Sequence, residues 1–249
     1  MADQLCLQVS GVGKRYGGLE VLAGITLNVR EGVRQAILGP NGAGKTTLFR
    51  ILSGEIAPSR GTVSFRGRDI TNAPPYRRVA MGIARTFQTT TLFPRLTVLQ
   101  NVVLAVQGTR RAKYVPCRLV ERIAALNEEA RRTVDRVGLA GREAVTVGAL
   151  AYGEQRQLEI GLALACRPSL LLLDEPTAGL ARAEVSRIVA LLHDLPRDIT
   201  ILLIEHDMDV AFALAETVTV LNQGQVLAEG PLDTIRANAR VQEIYLGGI

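Results

Sequence analysis

Leu5, Leu7 and Val9 alternate with polar neighbours, and Ile25, Leu27 and Val29 repeat the alternation, so the first 35 residues read as half-buried antiparallel strands. The run Gln35-Ala36-Ile37-Leu38 then enters a glycine-rich loop, Gly39 to Gly44, and a helical stretch begins near Lys45. Gly61 to Gly67 frames another short strand. From about Thr97 to Leu139 the period changes: Leu119, Ile123, Leu126, Ala130, Val134 and Val137 recur at helical spacing, with Gly138 placed as a terminator. A helix from about Gly153 to Cys166, a strand Leu170 to Leu173, a helix near Ala183 to Asp194 and a strand Ile199 to Ile204 follow. Aliphatic strands alternating with helices predict a mostly parallel sheet covered on both faces. Thr217 to Leu221 and Gln225 to Glu229 are joined hairpin-like at Asn222-Gln223-Gly224, and short helices end the chain. The expected fold is α/β, with a mostly parallel core sheet, an N-terminal antiparallel β subdomain and an inserted helical subdomain.

Composition adds boundaries to this picture. With 249 residues, 47% hydrophobic and 21% charged, the chain is ordinary globular material for one domain, and two large independent domains would not fit. Cys6, Cys117 and Cys166 are far apart among aliphatic residues, which predicts reduced core or near-core thiols rather than a metal or disulfide framework. Met1-Ala2-Asp3-Gln4 lacks the basic and apolar regions of a signal peptide, and the longest apolar runs fall far short of the roughly 20 residues a membrane span needs. Any work at a membrane is expected to go through a partner.

The formal charge is +5, and the segment from Arg110 to Arg142 carries nine basic against four acidic residues, which equals the whole excess. Such a run reads either as a solvated helix face or as a surface facing phospholipid headgroups or a protein partner.

Gly39-Pro40-Asn41-Gly42-Ala43-Gly44-Lys45-Thr46 matches G-x4-G-K-[ST] without departure, between a predicted strand and a predicted helix. Glycines let backbone N–H groups wrap the phosphates of a nucleoside triphosphate; Lys45 neutralises phosphate charge and Thr46 offers its hydroxyl to Mg²⁺. Leu170 to Leu173 is a buried strand ending in Asp174 and Glu175. Asp174, at the carboxyl end of the strand, is placed to hold Mg²⁺, usually through water, and Glu175 is placed to polarise an attacking water. A general base beside a magnesium ligand implies hydrolysis rather than transfer to a second substrate.

Further residues specify a family. Leu150-Ala151-Tyr152-Gly153-Glu154-Gln155 resembles the L-S-G-G-Q signature of the ATP-binding cassette (ABC) ATPases; Gln88 in Thr86-Phe87-Gln88 resembles their glutamine loop, His206 in Glu205-His206-Asp207 their switch histidine, and Tyr16 the aromatic that stacks on adenine. The resemblance covers essentially the whole chain and implies a single P-loop cassette domain, with residues 1–88 and 155–249 as nucleotide-binding core and about 89–154 as the helical subdomain. It implies an ATPase using ATP and Mg²⁺. Glu175, His206 and Gln88 would be catalytic, and Thr46, Gln88 and Asp174 would be the metal residues. The nucleotide would lie on Tyr16, Gly39, Pro40, Asn41, Gly42, Ala43, Gly44, Lys45, Thr46 and Thr47. Two cassettes would close head to tail, so that Ala151, Tyr152, Gly153 and Glu154 complete the partner's ATP site.

The sequence also departs from the pattern. Ala151 stands where serine is usual, Tyr152 replaces a glycine and Glu154 a glutamine, which predicts a weaker closed dimer; Ala181 stands where an acid usually links the two sites. The segments Leu150 to Ile160, Thr86 to Val98 and Glu229 to Gly247 resemble the ATPases of branched-chain amino acid importers and related urea and amide uptake systems. That resemblance implies integral-membrane permease subunits, a second cassette, identical or different, an associated substrate-binding protein, no nucleic acid, and a peripheral place on the cytoplasmic face of the inner membrane. The alternatives are an exporter ATPase of the lipid or lipopolysaccharide type, and a soluble cassette ATPase acting on ribosomes or DNA. The second is disfavoured by the single cassette, the absence of long heptads and the absence of metal-spaced cysteines.

Overall fold

A computed structural model describes residues 4–86, 92–109 and 119–246. Two long strands, β1 (Leu5–Tyr16) and β2 (Leu19–Arg30), pair antiparallel and are joined by β4 (Arg60–Phe65) and β5 (Arg68–Asp69) in a sheet of order β2-β1-β4-β5. Their alternation buries Leu7, Val9, Leu27 and Val29 on one face, as the sequence predicts.

The second sheet has the order β10-β9-β3-β8-β7-β6, built from β3 (Arg34–Leu38), β6 (Ile83–Arg85), β7 (Leu170–Asp174), β8 (Thr200–Ile204), β9 (Thr217–Asn222) and β10 (Gln225–Pro231). It is parallel from β9 to β6, with β10 antiparallel at the edge. Strands β3, β7 and β8 are buried along their whole length, and the aliphatic runs of β7 and β8 match a sheet covered on both faces. Fully burying one such leucine contributes about 1.5–3 kcal/mol relative to exposure. Helix α1 (Lys45–Ser53) lies on the side of this sheet that faces the antiparallel sheet, in a core with Leu48, Phe49, Ile51 and Leu52. A small helix, α2 (Pro75–Met81), follows β5.

The other side packs on helices α3 (Val98–Thr109), α4 (Leu119–Arg136), α5 (Tyr152–Ala165), α6 (Arg182–His193) and α7 (Met208–Leu214). The predicted stripe holds where it is described: Leu126, Ala130, Val134 and Val137 of α4 and its exit are buried. The terminator is Gly138, with φ +74°. Helix α5 packs on α3 and α4 and leads directly into β7. Helices α8 (Leu232–Arg236) and α9 (Ala239–Leu246) finish the chain. Cys6 is buried and Cys166 half-buried, both as free thiols whose ionisation burial pushes up; Cys117 lies outside the described residues.

The sequence reading did not single out Arg78, which is almost fully buried. Its guanidinium donates to the carbonyls of Ile51, Leu52, Ile70, Thr71 and Ala73, closing the C-terminal end of α1, and burial pushes its pKa down to about 10.

Candidate nucleotide site

The glycine loop leaves β3 and enters α1 as expected. At Gly39 (φ +150°) a side chain would place Cβ 2.2 Å from the Leu221 carbonyl oxygen, so the loop can pass β9 only with glycine there. The turn after β9 is stitched to the loop: Gly224 N–H donates to the Ala43 carbonyl and accepts from Ala23 N–H of β2. Three segments distant in sequence therefore fix the loop's shape. Helix α1 starts with no side-chain cap, so its first N–H groups remain available to an anion. Lys45 is buried and its Nζ donates to the loop's own carbonyls, Gly39 (2.6 Å) and Pro40 (3.1 Å). Burial lowers its pKa, opposed by the charges of Glu175 and Asp174.

A pocket of about 180 Å³ is lined by Asn41, Gly42, Ala43, Gly44, Lys45, Thr46 and Thr47 on one side and by Glu175 and His206 on the other. Glu175, just past the end of β7, therefore lines this pocket, and Asp174, the last residue of β7, does not. Asp174 side-chain exposure is 0%, and Arg85 Nη2 donates to its Oδ2 at 2.8 Å. Burial raises the Asp174 pKa against the pull of Arg85. Glu175 leaves the strand in the left-handed region, φ +51°, a conformation costly for a side-chain-bearing residue and concentrated at functional sites. Its N–H donates to the Ile204 carbonyl at 3.0 Å, and its Oε1 lies 2.5 Å from His206 Nε2.

Two neighbours of this pair were not read from the sequence. Glu205, 3% exposed, accepts from Thr177 N–H and Oγ1–H through Oε1 and from His206 N–H through Oε2. Burial raises its pKa. It thereby ties the segment after Glu175 to the segment bearing His206. The only sequence signal was an acid placed directly between a fully buried strand and His206. Arg85 is the other, three residues before Gln88. Gln88 itself lies outside the described residues.

Tyr16 ends β1 with 47% exposure, stacked under Lys14 Nζ at 5.1 Å, and it does not line the phosphate pocket. The segment from Ala151 to Glu154 opens α5 away from that pocket, lining a separate hollow with Glu184 and Arg187 of α6. Ala151 occupies the N-cap position and has no acceptor, so only half of a capping box forms: Glu154 Oε2 accepts from Ala151 N–H at 2.9 Å. Arg142 holds the other oxygen of Glu154 at 3.0 Å. Tyr152 is turned from the helix axis, its hydroxyl accepting from Arg156 Nε and Nη2 and reaching the Ala178 carbonyl at 3.5 Å.

The donor set around the phosphate loop, the Thr46 hydroxyl and the Asp174 carboxylate, consists of hard oxygens, the chemistry Mg²⁺ selects. Among the described residues no group of three or more His, Cys, Asp or Glu could hold a metal by itself.

The comparisons agree with this geometry. A family model described as ABC transporter matches residues 22–178, and one described as branched-chain amino acid ATP-binding cassette transporter matches residues 225–248. The chain is 37% identical to the high-affinity branched-chain amino acid transport ATP-binding protein BraF of Pseudomonas aeruginosa, over 97% of each chain. It is 35% identical to LivG of Escherichia coli, over 98% of this chain and 99% of that one. Among solved structures, the ADP conformation of MJ1267, an ATP-binding cassette of an ABC transporter, superposes with a TM-score of 0.85 at 30% identity, covering 98% and 99% of the two chains. The dimeric cassette MJ0796 superposes with a TM-score of 0.77 at 27% identity, covering 91% and 98%. With the phosphate loop, Glu175 and His206 lining one pocket, the chain belongs to the ATP-binding subunits of ABC transporters, a family of nucleotide-binding ATPases.

Proposed function

We propose that this chain is the ATP-hydrolysing subunit of an importer for branched-chain amino acids or related small amino acids and amides. The observation that carries the chemistry is the convergence of Glu175 and His206 on the phosphate loop. The names of the relatives favour import over the exporter alternative.

In this reading the N–H groups of the loop and of the start of α1 bind the phosphates, and Lys45 leaves its own loop carbonyls for them. Thr46, Asp174 and Gln88 hold Mg²⁺, which neutralises phosphate charge when bound. Tyr16 stacks on the base. Glu175 accepts a proton from water, and His206 holds it in register with the γ-phosphate. Residues Ala151 to Glu154 meet the ATP of a second cassette through the free N–H groups that open α5. Taking residues about 89–154 as a helical subdomain, its motion on closure would be passed to permease subunits. A groove of about 290 Å³, lined among others by Val79, Ala105, Glu159 and Leu162, suits a permease helix. No described helix is long and apolar enough to cross a membrane, which leaves the span to those partners. The chain would sit peripherally on the cytoplasmic face of the inner membrane, where Arg131, Arg132 and Arg136 expose charge to anionic lipid. Residues 110–118, which carry Arg110 and Arg111, lie outside the described residues.

The test is to tag Glu175→Gln in the native host, extract membranes in mild detergent and identify what copurifies. Two polytopic permease subunits, a second cassette and an associated amino-acid-binding protein are expected. Recovery of ribosomal or DNA-bound proteins without a permease would overturn the transporter reading.

A further inference from the structure

Four charged side chains form a line of alternating sign from the surface to the end of β7. Arg50, at the end of α1, lies 3.4 Å from Glu55; Glu55 Oε1 accepts from Arg85 Nη1 at 2.5 Å; Arg85 Nη2 donates to Asp174 Oδ2 at 2.8 Å. Side-chain exposure falls along the line, 48%, 27%, 7% and 0%, so water screens the outer pair and scarcely the inner one. Ser53 Oγ–H donates to Glu55 Oε1 and accepts from Arg85 Nη1, fixing the corner. Glu55, Arg85 and Ser53 also line the 290 Å³ groove, which shares no lining residue with the phosphate pocket.

We infer that Arg85, anchored on Glu55, is a positioning residue that holds one oxygen of Asp174 and aims the other at the divalent cation of the nucleotide site. This rests on the reading of Asp174 as a residue that holds that cation. A guanidinium is suited to the task because its planar fork grips two carboxylates at a fixed separation, whereas an ammonium is a single point of charge. Glu55 shares the positive charge of Arg85; without it the full charge would fall on Asp174 and weaken its attraction for a cation.

The full-length chain is titrated with Mn²⁺ in the presence of ADP, free Mn²⁺ being read by electron paramagnetic resonance. ADP affinity in EDTA and the thermal midpoint are measured alongside. Arg85→Lys, which keeps the charge and loses the fork, is expected to weaken Mn²⁺ about tenfold, as outer partners of metal ligands commonly do. Glu55→Gln is expected to weaken it by a smaller factor, with ADP affinity in EDTA unchanged for both. Unchanged or tighter Mn²⁺ binding in either variant overturns the inference, and should Arg85→Lys fail to fold, Glu55→Gln alone decides it. Asp174→Asn separates the two levels. If it leaves Mn²⁺ binding intact, the reading of Asp174 itself is wrong. If it abolishes binding while Arg85→Lys does not weaken it, only the role of Arg85 falls.

Discussion

His206 Nε2 meets Glu175 Oε1 at 2.5 Å, across a gap of 31 residues, while Glu175 stands in a left-handed backbone conformation. A carboxylate only accepts, so the contact requires a proton on Nε2 of the imidazole ring. That leaves Glu175 aimed into the phosphate pocket with one side held, the geometry of a base waiting for water. Glu175→Gln is expected to lower the ATPase kcat at least about a hundredfold, the usual worth of a general base, with ATP affinity retained. His206→Ala should do the same by releasing the carboxylate. Turnover and nucleotide titration measured together decide it; a Glu175→Gln variant with near-normal kcat would assign the base elsewhere.

Tyr152 carries a second relationship. Its ring lies under the Arg156 guanidinium at 5.1 Å, and an added Cβ at Gly179 (φ +76°) would come within 3.4 Å of it. The signature segment therefore rests on the segment Thr177 to Ala181 of the same chain, whose other end is gripped by Glu205. With Ala181 lacking an acid, this contact is the described link from the start of α5 toward Glu175. Tyr152→Gly is expected to reduce the Hill coefficient of ATP hydrolysis toward one while leaving ATP binding to the single chain unchanged; an unaltered coefficient would dismiss the link. Tyr152→Phe, which keeps the ring and loses the hydroxyl, should fall between.

Ala151 makes a prediction about both stability and closure. The N-cap position of α5 has the extended backbone a capping serine uses, and Glu154 already supplies the reciprocal half of the box. Ala151→Ser is expected to stabilise the chain by about 0.5–1 kcal/mol, read from denaturant midpoints, by accepting the N–H of Glu154. The same hydroxyl would give a partner's γ-phosphate another donor, so ATP-dependent dimers on a Glu175→Gln background should tighten. Stability gained without tighter dimers would mean the hydroxyl serves the helix alone.

What was legible in the sequence follows from how local each constraint is. The phosphate loop could be read because its glycines, Lys45 and Thr46 act within eight consecutive residues, and the buried strand before Asp174 because nothing polar interrupts Leu170 to Leu173. Strand ends moved by a residue, Ile199 falling just outside β8, because apolar character persists past the last ladder bond. Arg85, Arg78 and Glu205 stayed hidden. Each is a charged residue whose burial is compensated in part by a partner between 26 and 89 positions away, and a sequence gives no measure of that distance in space. Tyr152 was visible as a departure from a pattern, but its contact with Ala178 depends on how α5 meets the turn after β7.

Glu229 offers a pH test far from the site. It sits on β10 with much of its side chain exposed, Gln35 Nε2 donating to its Oε1 at 3.3 Å; the partial desolvation beside Gln35 raises its pKa and that hydrogen bond only partly opposes it. The folded chain therefore binds this proton more tightly than the unfolded chain does. Between the ordinary glutamate value and the raised one, stability falls slightly with rising pH, since folding takes that charge partly out of water. Above that window the loss is complete. Glu229→Gln keeps an acceptor for Gln35 and removes the titration. Its stability relative to the parent should be lowest in acid below the ordinary glutamate value, rise through the window and level off above the raised value. Urea denaturation of both chains at matched pH values measures that difference, and a difference independent of pH would show that Glu229 titrates alike in the folded and unfolded states.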